Sequence, residues 1–304
     1  MLNYTKDNLR GNKRFVFSLS NYKKKIYFCA MFMKMRIFGV GVLLVLIVLA
    51  GCGDYNKILK STDYEFKYKK AVEYYEEGEY VRSAALFQEL LSIFRGTSRA
   101  DDIYFYYAKS MIGQRDYLMA GHYFNTLVNE FPTSAYVEEA QFMVGYCNYL
   151  LSPKPRLDQE VTQKAIDALQ LYINLYPYSD RVEEANRLID ELRDKLVYKS
   201  FLSAKMYYDF EDYKAAVVAL TNSLKEYPDS QYREELMYML LKSKYLLAIN
   251  SVEEKKQQRL STALDEYFTF VDEFPESGYR KEAEKFYETT AKLLNYNEES
   301  SNLN

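Results

Sequence analysis

FPTSAYVEEA (131–140) is the stretch that decides the fold of this chain, because closely similar segments recur along the sequence. Further copies start at Tyr176, Tyr227 and Phe274, and a degenerate copy starts at Phe94. The proline found in four of these copies cannot continue a preceding helix. The serine is placed to cap a following helix, and acidic residues then occupy its first turn, near the positive end of the dipole. Each copy therefore predicts a joint between two helices.

An amphipathic helical pattern precedes each joint. In YLMAGHYFNTL (117–127), aromatic, small and aliphatic residues recur at steps of three and four, which places them on one face of a helix. Related patterns start at Tyr80 and Tyr213, each after a short turn and another helical segment. This order, closed by a proline, resembles the second helix of a tetratricopeptide repeat. The first helices of the first three repeats are offset by 37 residues.

The repeats predict an all-α fold, a right-handed superhelical solenoid of about five tetratricopeptide-type helix pairs with a C-terminal capping helix over 278–294. Ala71, Ala108 and Gly145 occupy the position at which the first helix of a pair would pack on the second. Glycine and proline are scarce, with 11 and 6 residues, which also favours helices over strands.

Three departures from a regular repeat are expected in the second half of the chain. An insertion over 152–163 lengthens the turn inside the third pair, and a polar connection over 250–258 lengthens the turn inside the fifth. Extra residues follow Pro177, so that 181–208 forms either one long helix or two.

The N-terminal segment has the pattern of a secretion signal. The apolar run IFGVGVLLVLIVLA (37–50) would form a helix of about 21 Å, short of the roughly 30 Å hydrocarbon core of a bilayer. Basic residues precede it and small residues end it. Leu49-Ala50-Gly51-Cys52 resembles the bacterial lipobox, in which the cysteine thiol receives diacylglycerol, the chain is cut before the cysteine, and the new amine is acylated. An uncleaved anchor that ends in cysteine by chance is the alternative.

Cleavage before Cys52 would divide the chain into segments with different roles. The leader is long, and translation is expected to start at Met31, Met33 or Met35, with Met33 favoured. Gly53, rather than an acid, follows the cysteine, which favours the outer membrane, where several acyl chains would anchor the protein stably. The predicted segments are a signal peptide over 1–51, a lipidated tether over 52–63, N-terminal substrate-binding repeats over 64–180, C-terminal repeats with the capping helix over 181–294, and a disordered tail over 295–304.

The charge of the chain is divided between leader and body. Residues 1–52 contain nine Lys or Arg and a single acid, Asp7, which leaves 31 basic and 42 acidic residues in the remainder. An exported body this acidic is a poor partner for nucleic acid or for an anionic lipid surface. We therefore expect no nucleic-acid partner, and a membrane association that depends on the lipid anchor.

Two rows of residues on the first helices are candidates for partner binding, by analogy with the groove of tetratricopeptide arrays. The first row is Tyr68, Phe105, Phe142, Phe201 and Tyr238. The second row is Tyr75, Ile112, Tyr149, Tyr208 and Tyr245. In a groove these residues would hold an extended peptide, because rigid aromatic rings supply contact area and tyrosine hydroxyls hydrogen-bond to backbone. Aromatic residues at helical spacing also form cores, so packing in the interior is the alternative.

No constellation for catalysis is recognisable in the sequence. His122 is the only histidine and has no neighbours that would complete a metal site. The apolar neighbours of Cys147 predict a half-buried thiol. No nucleophile has a general base at a recognisable spacing, and no glycine-rich phosphate loop is present. We therefore expect no enzyme activity, metal or cofactor, apart from covalent diacylglycerol and N-acyl lipid on Cys52.

The lipobox, the short tether and about five repeats ending near residue 300 together resemble the BamD family, the lipoproteins of the outer-membrane β-barrel assembly machinery. YYEEGEYVRSAALFQELL (74–91) and NEFPTSAYVEEAQFMVGYCNY (129–149) carry most of the resemblance. It implies an outer-membrane lipoprotein that faces the periplasm and docks on the periplasmic domains of the central barrel insertase. It also implies that the N-terminal repeats recognise unfolded outer-membrane proteins, which typically end in an aromatic residue. The insertions in repeats three to five depart from the family's regular form and leave the partner contacts of the C-terminal half open.

Two other functions remain open at this point. Another periplasmic tetratricopeptide lipoprotein could scaffold enzymes of envelope division or of peptidoglycan. A glycan-binding lipoprotein resembling SusD would also contain such repeats, but that family is far longer and reads sugars with tryptophan. This chain has no tryptophan.

Overall fold

A computed structural model of the protein describes the backbone of residues 52–301 and the side chains of residues 55–294. The predicted leader, its start at Met33 and the side chain of Cys52 lie outside the described residues. Every regular element in the described part is an α-helix, which confirms the all-α fold class. The helices are α1 (Cys52–Leu59), α2 (Tyr64–Glu76), α3 (Tyr80–Ile93), α4 (Ala100–Gly113), α5 (Tyr117–Glu130), α6 (Val137–Leu151), α7 (Glu160–Leu175), α8 (Val182–Asp209), α9 (Tyr213–Glu226), α10 (Arg233–Ile249), α11 (Glu253–Glu273) and α12 (Arg280–Ser301).

The helices follow the predicted order of five pairs, from α2/α3 to α10/α11, with α12 after the last pair. The chain forms two compact units, one up to Leu90 and one from Leu91 onward. In the second unit each helix from α4 to α11 packs on the next helix along the chain. The predicted array of consecutive helix pairs is therefore present in this unit.

The joints between pairs are built by the residues that the repeated motif supplies. The Ser134 N–H donates to the Phe131 carbonyl (3.0 Å), and the Ser134 hydroxyl oxygen accepts from the Tyr136 N–H (3.2 Å). Helix α6 then begins only at Val137, so the serine stabilises the turn before the helix and does not cap the helix itself. The same serine-to-backbone hydrogen bond recurs at Ser179, Ser230 and Ser277.

The turns inside the first, second and fourth pairs are tight because one residue in each is left-handed. That residue is Gly78 with φ 78°, Arg115 with φ 63° and Glu211 with φ 59°. An aspartate directly after two of these turns caps the second helix. In the second pair the Asp116 carboxylate accepts from the Met119 N–H, and in the fourth pair the Asp212 carboxylate accepts from the Ala215 N–H, each at 3.1 Å.

The predicted small position lies where the two helices of a pair touch. Ala71 and Ala108 are fully buried. A methyl group added at Gly145 would lie 2.7 Å from Leu169 Cγ and Cδ2, closer than carbon atoms can approach. Only glycine therefore fits between α6 and α7 without displacing Leu169.

The second unit contains two hydrophobic cores that share one helix. Segment 181–208 forms a single helix, α8, of 28 residues. Its first half contributes Leu188 and Leu192 to a core with the second and third pairs, and its second half contributes Phe201 and Ala204 to a core with the fourth and fifth. Because α8 serves both cores, no break in the packing falls at the predicted division between residues 180 and 181.

The segment predicted as a lipidated tether, 52–63, has a defined secondary structure. Cys52–Leu59 is helical, and α1 packs on the first helix pair. Ile58 is buried, and the Tyr55 ring meets the Tyr74 ring edge-on at 5.8 Å. The apolar contacts of these side chains explain why the segment folds onto the pair.

Lys67 holds the end of α1 in place. Its side chain is fully buried, and its ammonium donates to the Leu59 carbonyl (3.0 Å) and to both carboxylate oxygens of Glu89 (2.7 and 2.8 Å). A buried ammonium needs such partners, because it is costly to desolvate alone. One lysine thus ties α1 and α3 to α2.

Two further expectations are wrong at helix ends. The connection over 250–258 is short because α11 already begins at Glu253, where two acids favour a helix start. The tail over 295–304 is helical as far as Ser301, since no proline or glycine follows Leu294 to end α12. The insertion after α6 is a genuine loop, and Lys199 Nζ fixes it to α8 by donating to the Leu157 carbonyl (2.6 Å).

Candidate partner-binding surface

Most of the first aromatic row lies in the core. Phe105, Phe142, Phe201 and Tyr238 each expose 7% or less of their surface. For these four residues the expectation of an open groove is wrong, and core packing, the alternative, is correct. Tyr68 is half-buried and packs edge-on against Phe87, with ring centroids 6.1 Å apart.

The joint that follows each pair covers the buried aromatic residue. The sixth residue of the joint motif stacks its ring on the buried ring, with centroids 4.1 to 4.4 Å apart. The stacked partners are Tyr136 on Phe105, Tyr232 on Phe201 and Tyr279 on Tyr238. This explains the burial, because the first-row side chain faces the next joint and not an open groove.

An ion pair accompanies each of these stacks. A lysine four residues after the buried aromatic residue reaches the glutamate three residues after the stacked tyrosine. The pairs are Lys109 with Glu139 (3.1 Å), Lys205 with Glu235 (3.4 Å) and Lys242 with Glu282 (2.9 Å). We call the buried aromatic residue, the stacked tyrosine and the Lys–Glu pair together a standard junction. Standard junctions follow the second, fourth and fifth pairs.

The last standard junction shows the electrostatics most clearly. Hydrogen bonds from Tyr238 and Lys242 lower the pKa of Glu282 below its ordinary value. The hydrogen bond to Glu282 raises the pKa of Lys242, and burial raises the pKa of Tyr238. The shifts of Glu282 and Lys242 favour the ionised carboxylate and ammonium at neutral pH, so the pair is charged in the folded protein.

The junction after the third pair is built differently, and we call it the third junction. Arg181 stands where the other joints have tyrosine, and its guanidinium lies 4.7 Å from the Phe142 ring centroid. Tyr146 stands where the others have lysine, and it stacks between Phe142 (6.0 Å) and Tyr149 (6.1 Å). A ladder of three aromatic rings therefore runs along α6.

The end of this ladder is tied to α8. The Tyr149 hydroxyl donates to Glu191 Oε2 (2.6 Å), and Arg187 donates to the other oxygen of the same carboxylate. The hydrogen bond to Glu191 raises the pKa of Tyr149, with a smaller contribution from burial. The hydroxyl therefore stays protonated and remains a donor at neutral pH.

The second row is half-buried along its whole length. Its members are Tyr75, Ile112, Tyr149, Tyr208 and Tyr245. Each ring keeps one side against the protein: Tyr245 stacks on Phe286 at 4.6 Å, and Lys205 lies 5.9 Å from the Tyr208 ring. Part of every side chain faces solvent, so this row offers rigid contact surface. That a partner uses it stays a prediction.

Several residues of this surface were not predicted. The stacked joint residues were visible in the sequence, because the sixth motif position is aromatic in three copies and arginine in the other two. Their role needed the geometry of the next pair. The repeated pattern could not reveal Tyr146, Arg187 and Glu191. Each differs from the type of residue that the other repeats have at the same position.

The reactive side chains singled out in the sequence have structural surroundings. Cys147 is buried, and burial raises the pKa of its thiol to about 12. His122 is exposed on α5, with its ring 5.1 Å from that of Tyr123. Among the described residues, no group of three or more His, Cys, Asp or Glu is placed to hold a metal ion. No helix in that part of the chain is long and apolar enough to span a membrane.

Helix pairs in series, with half-buried aromatic residues repeating on their first helices, define a helical repeat protein of the class that offers binding surfaces to other chains. The chain belongs to the YfiO family of outer membrane lipoproteins, whose profile matches residues 61–260 and 201–300. The family resemblance found in the sequence is thereby confirmed.

Individual proteins, among them one relative and two solved structures, are similar to this chain. The chain is 22% identical over 227 residues to the "Putative outer membrane protein assembly factor BamD" of Aquifex aeolicus (strain VF5), covering 74% of each chain. Among solved structures it is similar to the TPR2AB domain of yeast Sti1 in a pHSP90 complex, with a TM-score of 0.35, 13% identity, and 75% and 98% of the two chains covered. It is also similar to the apo form of RapI, with a TM-score of 0.32, 16% identity, and 78% and 86% covered.

Proposed function

We propose that this protein is a periplasm-facing scaffold of the β-barrel assembly complex, anchored in the outer membrane by lipid on Cys52. It binds the periplasmic domains of the central barrel insertase and unfolded outer-membrane proteins. Membership of an outer membrane lipoprotein family supports the location, and the relative named as an outer membrane protein assembly factor supports the process.

The half-buried second row carries the substrate-binding part of this proposal. In the second unit the first helices of successive pairs touch, since α6 contacts α8 and α8 contacts α10. Packed helix axes lie roughly 8–10 Å apart, and an extended chain advances about 3.3 Å per residue. One residue in about every three of an extended substrate would therefore meet Tyr149, Tyr208 and Tyr245 in turn.

The docked helix α1 supports a short and fixed connection to the lipid. Its eight residues span about 12 Å, and its last turn is tied to the first pair by Lys67. Once Cys52 carries its acyl chains, the first pair would stand close to the membrane. This placement suits a protein that receives substrates near the insertase.

The proposal is tested by purifying the tagged full-length protein from detergent-solubilised envelopes after cross-linking. We expect the barrel insertase in stoichiometric amounts, together with unfolded barrel proteins. A Tyr149→Ser/Tyr208→Ser variant should lose most of the cross-linked substrate and keep the insertase. The matched control is Tyr207→Ser/Phe210→Ser, which removes two exposed aromatic rings near the end of α8 and should behave as the wild type.

Two results would contradict the proposal. Recovery of division or peptidoglycan proteins without the insertase would move the function to envelope scaffolding. Unchanged substrate cross-linking in the Tyr149→Ser/Tyr208→Ser variant would remove the second row from substrate binding.

A further inference from the structure

The third helix pair carries an exposed apolar patch. Leu171 and Leu175 lie one turn apart on α7 and are 48% and 54% exposed, and Tyr178 in the following joint is 98% exposed. Three large apolar side chains thus face solvent within one short segment. We call these three residues the α7 patch.

The second, fourth and fifth pairs show that the fold does not require apolar residues at these positions. The residues at the same three places, counted from the joint motif, are Thr126, Glu130 and Thr133 in the second pair, Asn222, Glu226 and Asp229 in the fourth, and Thr269, Glu273 and Glu276 in the fifth. Three pairs build the same joint with polar side chains. The α7 patch therefore has no structural explanation within its own repeat, and exposed apolar clusters of this kind mark contact surfaces.

A cleft with acidic residues at its edge borders the patch. The cleft encloses about 700 Å³ and is lined on one side by Leu175, Pro177 and Tyr178, and on the other by the first turn of α6. Glu138 and Asp180 are exposed at its edge. Arg181 also lines the cleft, with its guanidinium over the Phe142 ring, and Glu139 in the same lining is paired with Lys109. Three acids, one of them paired with Lys109, face one arginine here, so the net charge of the cleft is negative.

The patch is held in a fixed shape. The Tyr172 hydroxyl and the Ser179 hydroxyl are 2.6 Å apart, and the Ser179 N–H donates to the Tyr176 carbonyl at 3.1 Å. Tyr172 is fully buried, so the joint that presents Tyr178 is anchored in the core. A preformed surface loses little conformational entropy when a partner binds.

We infer that the α7 patch is the docking surface for a segment of the insertase's periplasmic domains that presents apolar side chains next to a basic residue. This inference rests on the proposed function and names the surface that this partner uses. The leucines and tyrosine would be buried at the centre of the contact, and the basic residue would meet Glu138 and Asp180 at its rim.

The charge argues against the other occupants of such a patch. An anionic lipid surface would be repelled by Glu138 and Asp180 and by the excess of acids in the body. A second copy of this chain, paired symmetrically through the same patch, would place those acids against each other. A partner of opposite charge meets neither obstacle.

The test uses the full-length protein and the purified periplasmic domains of the insertase from the same organism. The variant Leu171→Thr/Leu175→Glu/Tyr178→Asp gives the third pair residue types that the other pairs carry at these places, so the fold is kept. We expect its affinity for the domains to fall by about tenfold or more, as for the loss of central contact residues. A second variant, Glu138→Lys/Asp180→Lys, should weaken binding and reduce its dependence on salt.

The matched control is Thr126→Ser/Glu130→Gln/Thr133→Ser, at the same places of the second pair, and it should bind as the wild type. Unchanged affinity of the α7 patch variant, while the wild type binds, overturns the inference and leaves the proposed function intact. Failure of the wild type to bind the domains contradicts both. If light scattering shows a dimer that only the α7 patch variant loses, the occupant is a second copy and the inference is wrong.

Discussion

The standard junctions and the third junction solve the same problem in different ways. Each must cover a buried aromatic residue of a first helix with the joint of the next pair. The standard junctions use a stacked tyrosine and a Lys–Glu pair, as Phe105 shows with Tyr136. The third junction covers Phe142 with Arg181 and fills the lysine position with Tyr146.

This difference separates residues that repeat from pair to pair from residues that are specific to the third pair. At the standard junctions the aromatic side chains stack on one another and the charged side chains form ion pairs. At the third junction the pattern is given up, and the same pair carries both the ring ladder that ends at Tyr149 and the α7 patch. The departures from the repeat are therefore concentrated where we propose the docking surface.

The largest expected effect tests whether the buried aromatic residues of both kinds of junction stabilise the core. Phe105→Ala at a standard junction and Phe142→Ala at the third should each lower the free energy of unfolding by about 3–5 kcal/mol, because a fully packed ring is replaced by a cavity. Urea unfolding followed by circular dichroism measures both.

Tyr149→Ala is the matched control on the same helix as Phe142. Its ring is half-buried, so its loss of stability should be clearly smaller than that of Phe142→Ala. If Phe142→Ala unfolds like the wild type and Tyr149→Ala does not, the assignment of the two rows is reversed.

A smaller effect sharpens the comparison inside the pairs. The second pair has Ala108 at the small position and the third has Gly145, whose missing side chain makes room for Leu169. Gly145→Ala should lower the free energy of unfolding by about 1–3 kcal/mol, since Leu169 must move to admit the methyl group. Gly278→Ala, where a methyl group meets no atom within 4 Å, is the control and should change stability by less than about 0.5 kcal/mol.

The joints and helix pairs could be predicted because their signals are local and repeated. Proline, serine and the acids of FPTSAYVEEA (131–140) act within a few residues, and five copies of the motif reinforce one another. The same holds for the small position at Ala71, Ala108 and Gly145. Local backbone chemistry and periodicity are enough to find such features.

The exposure of the first row could not be predicted in the same way. Phe105 and Tyr149 are both aromatic residues on the buried half of a helix, and the spacing alone does not say which one the next joint covers. The answer depends on Tyr136, which is 31 residues from Phe105 in the chain. The docking of α1 was missed for a similar reason, since Lys67 appears in the sequence as an ordinary polar residue and becomes buried only through Leu59 and Glu89.

The smallest expected effect concerns the ion pairs that the third junction lacks. Because hydrogen bonds lower the pKa of Glu282 in the folded protein, its carboxylate stabilises the fold above its unfolded pKa, near 4.5, and this contribution is lost as the pH falls through the lower folded value. At pH 7 the Glu282→Gln variant should be less stable than the wild type by under about 1 kcal/mol, since the side chain is 46% exposed and partly screened by solvent. The difference should shrink as the pH falls below 4.5 and vanish below the lower pKa of Glu282 in the folded protein. Glu184 occupies the matching place after the third pair, where Tyr146 replaces the lysine, so Glu184→Gln should change stability little at either pH. Equal losses in the two variants at pH 7 would mean that the Lys–Glu pair does not distinguish the standard junctions from the third.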